Sequence, residues 1–324
     1  MFHARHLLIF VVGLVLATPL LASPELWRGE WPKTDFSRAA VPFEEILSGG
    51  PPKDGIPALD DVEMIPVSSE TRLADAEPVM VLELDGTEAR AWPIRYLTWH
   101  EIMNDEVAGI PVAVTFCPLC NAGMIFDRRL DGQVLSFGVS GKLRHSDMIM
   151  YDRQTESWWQ QALGEGIVGE MTGKTLVQLP GWMESWGAFR ARNPDGLVMA
   201  EPDWPRRYGQ NPYVGYDGLA KPLLYSGEMP PHAIEPLSRI VRVGNRGWPL
   251  ERVAEAGRLE EGGVIIDWTA GQASALDRAR IAEGRDVGNI RVKDTATGRD
   301  LVHDVIFAFA FHAFHPDGQW MLGK

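Results

Sequence analysis

Four short landmarks occur twice along this chain, in the same order, and a chain that repeats its landmarks is expected to build one local structure twice. Val79 to Leu84 runs through the turn Asp85-Gly86 to Ala91-Trp92-Pro93-Ile94, and Ile240 to Val243 runs through Gly244-Asn245 to Gly247-Trp248-Pro249-Leu250. Val112 to Phe116 leads to Phe126-Asp127-Arg128, and Val264 to Ile266 leads to Leu276-Asp277-Arg278. Thr172-Gly-Lys-Thr-Leu-Val177 returns as Thr297-Gly-Arg-Asp-Leu-Val302, and Phe189 with Asn193-Pro-Asp-Gly196 returns as Phe311 with His315-Pro-Asp-Gly318. The spacing between the second and third landmarks is 45 residues in the first copy (127 to 172) and 20 in the second (277 to 297). The first copy is therefore the elaborated one. It alone carries the two cysteines, Cys117 and Cys120, where the second has Asp267 and Ala270 at the matching places. A plain copy beside an elaborated one places the chemistry in the first and a structural role in the second.

The expected fold is α+β and β-rich, with two diverged tandem copies of one unit packed together. Strands are expected at 79–84, 88–92, 111–116, 133–138 and 147–151, where β-branched or alternating apolar residues recur. Helices are few: one opened by Pro93 and running to about Asn104, and one over Trp182 to Arg192, where Trp182, Trp186 and Phe189 recur at helical spacing. The first repeat is bounded at 77–200 and the second at 237–324. Residues 23–76 read as a proline-rich surface wrap. Residues 201–236 hold seven of the 23 prolines and four of the six tyrosines, which excludes a helix and reads as a tyrosine-anchored connector.

Charge narrows the function classes. With 44 acidic residues against 31 basic ones, the formal charge is −13, so a basic track for nucleic acid is not expected. Arg5 and His6 precede an apolar run from Leu7 to Leu21, the layout of a secretory signal over residues 1–22. Ser23 stands where a lipoprotein would need a cysteine. No apolar run of about 18 residues or more follows residue 21, so the expectation is a periplasmic or secreted protein with no stable membrane span after signal cleavage.

Cys117-Pro-Leu-Cys120 is the densest chemical signal. A bridge between these two would close a tiny loop and remove little unfolded-state entropy, so the pair is not there chiefly as a staple. Two thiolates at this spacing bite one metal ion well, and tetrahedral closure asks for further donors. The candidates are His100, on the short helix beside Glu101, and His145, in a polar cluster with Arg144 and Asp147. Met148 and Met150 alternate on a strand. Soft sulfur with imidazole favours copper or zinc. Asn121, Asp152 and Arg153 join Glu101, Asp147 and Met150 as residues expected to line the site. If the pair is instead redox-active, Cys117 and Cys120 are themselves the catalytic residues. Only Asn121 to Phe126 follows before a turn, too short for the long helix that activates a thioredoxin-type thiol.

At Trp99-His-Glu, Val114-Thr-Phe-Cys-Pro-Leu-Cys-Asn, Phe137-Gly-Val-Ser-Gly and Tyr151-Asp-Arg-Gln-Thr-Glu-Ser-Trp-Trp-Gln-Gln the chain resembles the bacterial family called domain of unknown function 3179. The likeness spans roughly residues 55–320. It implies that the cysteine motif and the segment after it are family features and implies no activity or substrate. The family pattern has Asn where this chain has His145.

The expected function is therefore an exported protein whose Cys-x-x-Cys site holds one copper or zinc ion, with no organic cofactor. The alternatives are a periplasmic thiol-disulfide oxidoreductase using the same pair, and a non-enzymatic interaction module with an inert disulfide. Whether the protein is an enzyme stays open at this level. The partner is an unspecified protein or small molecule.

Overall fold

The computed structural model describes residues 24–323, so the expected signal over 1–22 lies outside the described residues. Its strands pair into five sheets of three to five strands, with one further two-stranded hairpin, Arg129–Leu130 with Gln133–Val134. Strand makes up 36% and helix 15%, and the sheets are arranged as a five-bladed β-propeller. This corrects the expected α+β fold of two tandem copies packed together. The physical reason lies in the helices. Ile94–His100, Trp186–Arg192, Leu250–Ala256 and Ala308–Phe314 have seven residues each. Two turns bury too little to form a helical layer, so the core is made by sheet packing on sheet. Among the described residues no helix is long and apolar enough to cross a membrane.

The second recurring landmark falls in two blades, on Ile110–Cys117 and Val264–Thr269, while the first and fourth fall in two others that correspond to each other. One contains Pro78–Leu82, Arg90–Pro93, Trp182–Ser185 and Leu197–Met199; the other contains Arg239–Val243, Arg246–Pro249, Asp304–Phe307 and Gln319–Trp320. Over these four strands both use the same order, with a parallel pair last, and in the first blade Met64–Pro66 adds an antiparallel edge strand. In each, a Trp-Pro step ends a strand and starts a helix, because proline has the fixed φ a helix entry needs. The indole is tied down in the same way twice: Trp92 Nε1 donates to Asp105 Oδ2 and Trp248 Nε1 to Glu261 Oε2, both at 2.9 Å. The pairing of Asp127 with Asp277 does not hold. Asp127 ends the strand Ala122–Asp127, whereas Asp277 lies in the connection between Val264–Thr269 and Asn289–Asp294.

Two expected helices are shorter than their sequence pattern. The first stops at His100, because Glu101 turns to φ +58 and starts the strand Ile102–Val107. In the second, Trp182–Ser185 is a strand paired with Pro78–Val81, and the helix begins at Trp186, capped by Ser185 Oγ accepting from Ala188 N. Burial of Trp182, Trp186 and Phe189 satisfies either reading of the spacing, and the available edge of Pro78–Leu82 decides it.

The segment 137–168 builds a blade that has no counterpart among the described residues of the second half. Its strands are Phe137–Arg144, Asp147–Asp152, Trp158–Gln160 and Glu165–Val168, edged by Ile46–Ser48 from the N-terminal stretch. That stretch packs Trp27, Trp31 and Phe36 around the Trp158 ring at centroid distances of 5.0–5.4 Å. The ammonium of Lys142 sits 5.3 Å from the Trp31 ring and 3.2 Å from Glu30 Oε2. The strand Phe137–Arg144 carries a bulge between Val139 and Lys142, where Gly141 adopts φ +72. A Cβ there would strike the Pro51 carbonyl oxygen. Gly141→Ala is therefore expected to destabilise by about 3 kcal/mol or more, through left-handed strain and a backbone collision together; a denaturant midpoint within error of wild type would contradict the bulge geometry.

Candidate metal centre

Two hairpin turns from different blades meet at the cysteines. Cys117 is the last residue of the strand Ile110–Cys117, and Cys120 lies in the four-residue turn before Ala122–Asp127. The turn is pinned to a third blade: Phe307 N donates to the Cys120 carbonyl at 2.9 Å, and Asn121 Nδ2 donates to Val305 O at 2.7 Å. Facing it is the two-residue turn His145-Ser146, which joins Phe137–Arg144 to Asp147–Asp152. Both turn residues have positive φ, +49 and +66, as a tight hairpin turn that follows the natural strand twist requires. That turn delivers Asp147. One donor atom each from Cys117, Cys120 and Asp147 lies within 4.8 Å of the others, and all three residues are buried. The sulfurs are free thiols, and Cys117 Sγ lies 3.8 Å from the Ser146 carbonyl oxygen.

Asp147 is fully buried. Its Oδ2 accepts from Gln160 Nε2 at 2.6 Å and from Ala162 N at 2.9 Å, while its Oδ1 has no N–H or O–H donor and the Cys117 and Cys120 thiols are the remaining partners of the carboxyl. Burial is the main cause that lifts this carboxyl to about 6, against the hydrogen bonds that oppose it. Burial also pushes both thiols up, Cys120 further than Cys117, and neighbouring Asp147 adds to it. Glu101, another buried acid, is raised to about 8 by burial first and by Asp147 second. Acids and thiols without a counter-cation favour the protonated forms, and a bound divalent cation reverses that preference.

Glu101 is held where its backbone is strained. It ends the helix Ile94–His100 at φ +58, ψ −34, and the residue that ends Leu250–Ala256 in the corresponding blade is Gly257, at φ +66, ψ −41. Glycine adopts this conformation freely, whereas a residue with a Cβ is disfavoured there by about 1 kcal/mol or more. The strained glutamate sits against the cysteine strand, its carbonyl accepting from Phe116 N at 2.9 Å.

The histidines are not brought to the cysteines. His100 spends both ring nitrogens elsewhere, Nδ1 with the Pro57 carbonyl at 2.8 Å and Nε2 with Tyr208 Oη at 2.7 Å. His145 points its Nε2 at Glu45 Oε2, 3.4 Å away, and packs against Tyr225 and Phe314. The turn places the backbone of residue 145 near the site and its ring outside it. His145→Asn, a residue that also tolerates left-handed φ, is expected to leave metal content unchanged and stability within about 1 kcal/mol of wild type; metal analysis that shows loss would return His145 to the donor set. Met150 is buried between Val139 and Trp159 in the core. Asp152 accepts from Trp159 Nε1 at 2.9 Å and from Thr155, and Arg153 pairs with Asp60 at 2.8 Å, so both hold loops.

A cleft of about 420 Å³ adjoins the cysteines. Glu101, Cys117, Met148 and Tyr213 line it together with aliphatic side chains that include Leu143 and Leu223. Tyr213 was not singled out by sequence; the signal was the tyrosine enrichment of 201–236. That segment docks on the site, with Tyr216 Oη donating to the Leu119 carbonyl at 2.9 Å and Ser146 Oγ donating to the Leu223 carbonyl at 2.6 Å.

The chain belongs to the family described as Protein of unknown function (DUF3179), whose family model matches residues 53–318. No curated protein and no solved structure matches it.

Proposed function

We propose that this protein is an exported metal-binding protein whose centre is held by Cys117, Cys120 and Asp147, with one coordination position left for a ligand. The observation that carries the reading is Asp147. A carboxylate oxygen buried with no N–H or O–H donor is costly, and here its remaining partners are two free thiols within 4.8 Å, which are weak donors. A cation bound by the three donors removes the cost. Two thiolates and a carboxylate suit zinc, a borderline-soft ion that accepts sulfur and oxygen. Copper(I), which prefers sulfur and imidazole, is less well served now that no imidazole adjoins the sulfurs. Three protein donors with one open position is the pattern of zinc sites that bind water or substrate.

Thiol-disulfide cycling is less well supported. Reactive thiols sit in electropositive, partly exposed surroundings, whereas Cys117 is 2% exposed, Cys120 is fully buried and the neighbouring charges are carboxylates. The test is metal analysis with thiol titration on protein isolated from the periplasm, comparing wild type with Cys117→Ser/Cys120→Ser. About one equivalent of zinc in wild type and none in the double variant is the expected result. A wild type that takes up neither zinc nor copper, with a disulfide that a mild dithiol reduces, would replace the metal reading by the redox one.

A further inference from the structure

We infer that the cleft beside Cys117 is a ligand site for a small, mainly alkyl or aryl molecule carrying an acidic O–H or S–H head group, the head reaching the metal centre and Glu101, the tail lying among the aliphatic walls. The inference rests on the proposed metal centre and adds a ligand class to it.

Three observations converge. The cleft is of small-molecule size, and its walls are dominated by side chains such as Ile56, Val139, Leu143, Met148 and Leu223. Two of its ionisable lining residues, Cys117 and Glu101, are electrostatic neighbours. Lys142 also lines it, but its ammonium is turned to Glu30 and the tryptophan rings, so an anionic head finds no side-chain cation there. Glu101 itself is 8% exposed, and its carboxyl accepts no hydrogen bond from any described residue. It also sits in a backbone conformation that the corresponding blade gives to Gly257. Strain and an unpartnered carboxyl that opens onto the cleft, together at one residue, mark a group positioned to act on a ligand.

The binding step balances. With zinc held by Cys117, Cys120 and Asp147 and Glu101 ionised by the nearby cation, the O–H or S–H bond of the head group would break, its electron pair going to the metal and its proton to the Glu101 carboxylate. No oxidant or reductant is consumed. Leu223 and Leu224, 50% and 45% exposed, line the cleft where it meets solvent and set the entry for the tail.

The experiment is calorimetry of the zinc-loaded full chain with a series of alkyl hydroxamates from acetohydroxamate to octanohydroxamate, whose head carries an acidic O–H and binds zinc. Affinity is expected to rise by up to about fourfold for each added methylene until the cleft is full. Leu223→Trp, which occupies the entry, should flatten the series. Glu101→Gln, similar in size but unable to take the proton, should weaken every member by about tenfold or more while keeping the chain-length dependence. A flat series on wild type overturns the cleft as the tail site, and a Glu101→Gln series that overlays wild type overturns the role given to Glu101. The failure of the metal reading looks different: wild type then holds no zinc, and any chain-length dependence is the same with and without it, which overturns the head-group half of the inference.

Discussion

Metal-free protein is expected to lose about 2 kcal/mol of stability between pH 6.5 and 8.5, while zinc-loaded protein gains stability over the same range. The sign follows from Glu101. Its carboxyl titrates near 4.5 in the unfolded chain and at about 8 in the fold, so between these values the folded protein holds a proton that the unfolded chain has released. Stability then falls as pH rises, by about 1.4 kcal/mol for each pH unit, until the folded group ionises. Asp147 acts in the same direction at lower pH, its effect complete once pH passes about 6. Below pH 6.5 the trend is opposed by His100, His145, His303 and His315, which burial holds neutral and which gain protons on unfolding. The range from 6.5 to about 8 therefore isolates the glutamate, and the raised Cys117 and Cys120 thiols add a loss of the same sign only as pH approaches 9. With zinc bound, the thiols must be deprotonated, so binding releases protons and strengthens as pH rises. Denaturant titrations at several pH values, with and without a chelator, would reveal the divergence. Glu101→Gly should abolish the metal-free slope and raise metal-free stability, since it removes both the buried carboxyl and the left-handed strain. Parallel pH curves for the two forms would show that no cation acts on these acids.

Much of the site was legible because it rests on local spacing. Cys117 and Cys120 are three residues apart on a strand end, and nothing in the rest of the chain can separate them. Glu101 is legible as a lining residue because it adjoins His100, and Asp147 because it shares a polar cluster with Arg144 and His145. The choice of histidine as donor failed for a reason that spacing cannot carry. Whether a ring or its neighbour faces the cysteines depends on the φ values of Glu101 and His145, and residues other than glycine give no sequence sign of a positive φ. The fold divides in the same way. The runs at 79–84, 111–116 and 147–151 became strands within two residues of their expected bounds. Their partners were invisible, because Trp182–Ser185 pairs with residues about a hundred positions earlier and Ile46–Ser48 with Lys142–Arg144. Period-two alternation states that a residue faces a core and never which sheet covers it. Hence a repeat read as two packed units marks equivalent strands in two pairs of blades of a five-bladed body.

Asp147→Ala should be the most damaging single substitution at the site, and comparison with Asp147→Asn separates structure from metal. Alanine removes the acceptor used by Gln160 Nε2 and Ala162 N, leaving two donors unsatisfied where Asp147 and Gln160 are fully buried. A loss of about 2–4 kcal/mol is expected, together with all bound zinc. Asparagine keeps one oxygen, which can accept from both donors, and turns an uncharged amide toward the sulfurs. Its fold should therefore survive, and metal-free Asp147→Asn should be at least as stable as wild type above pH 6, where the native carboxylate carries the burden of ionisation without a cation. Zinc affinity should nonetheless fall by a hundredfold or more, because a carboxylate donor has been replaced by a neutral one beside two thiolates. Were Asp147→Asn to hold zinc as tightly as wild type, the carboxylate would be only a structural acceptor, and the third donor would have to be sought at Glu101.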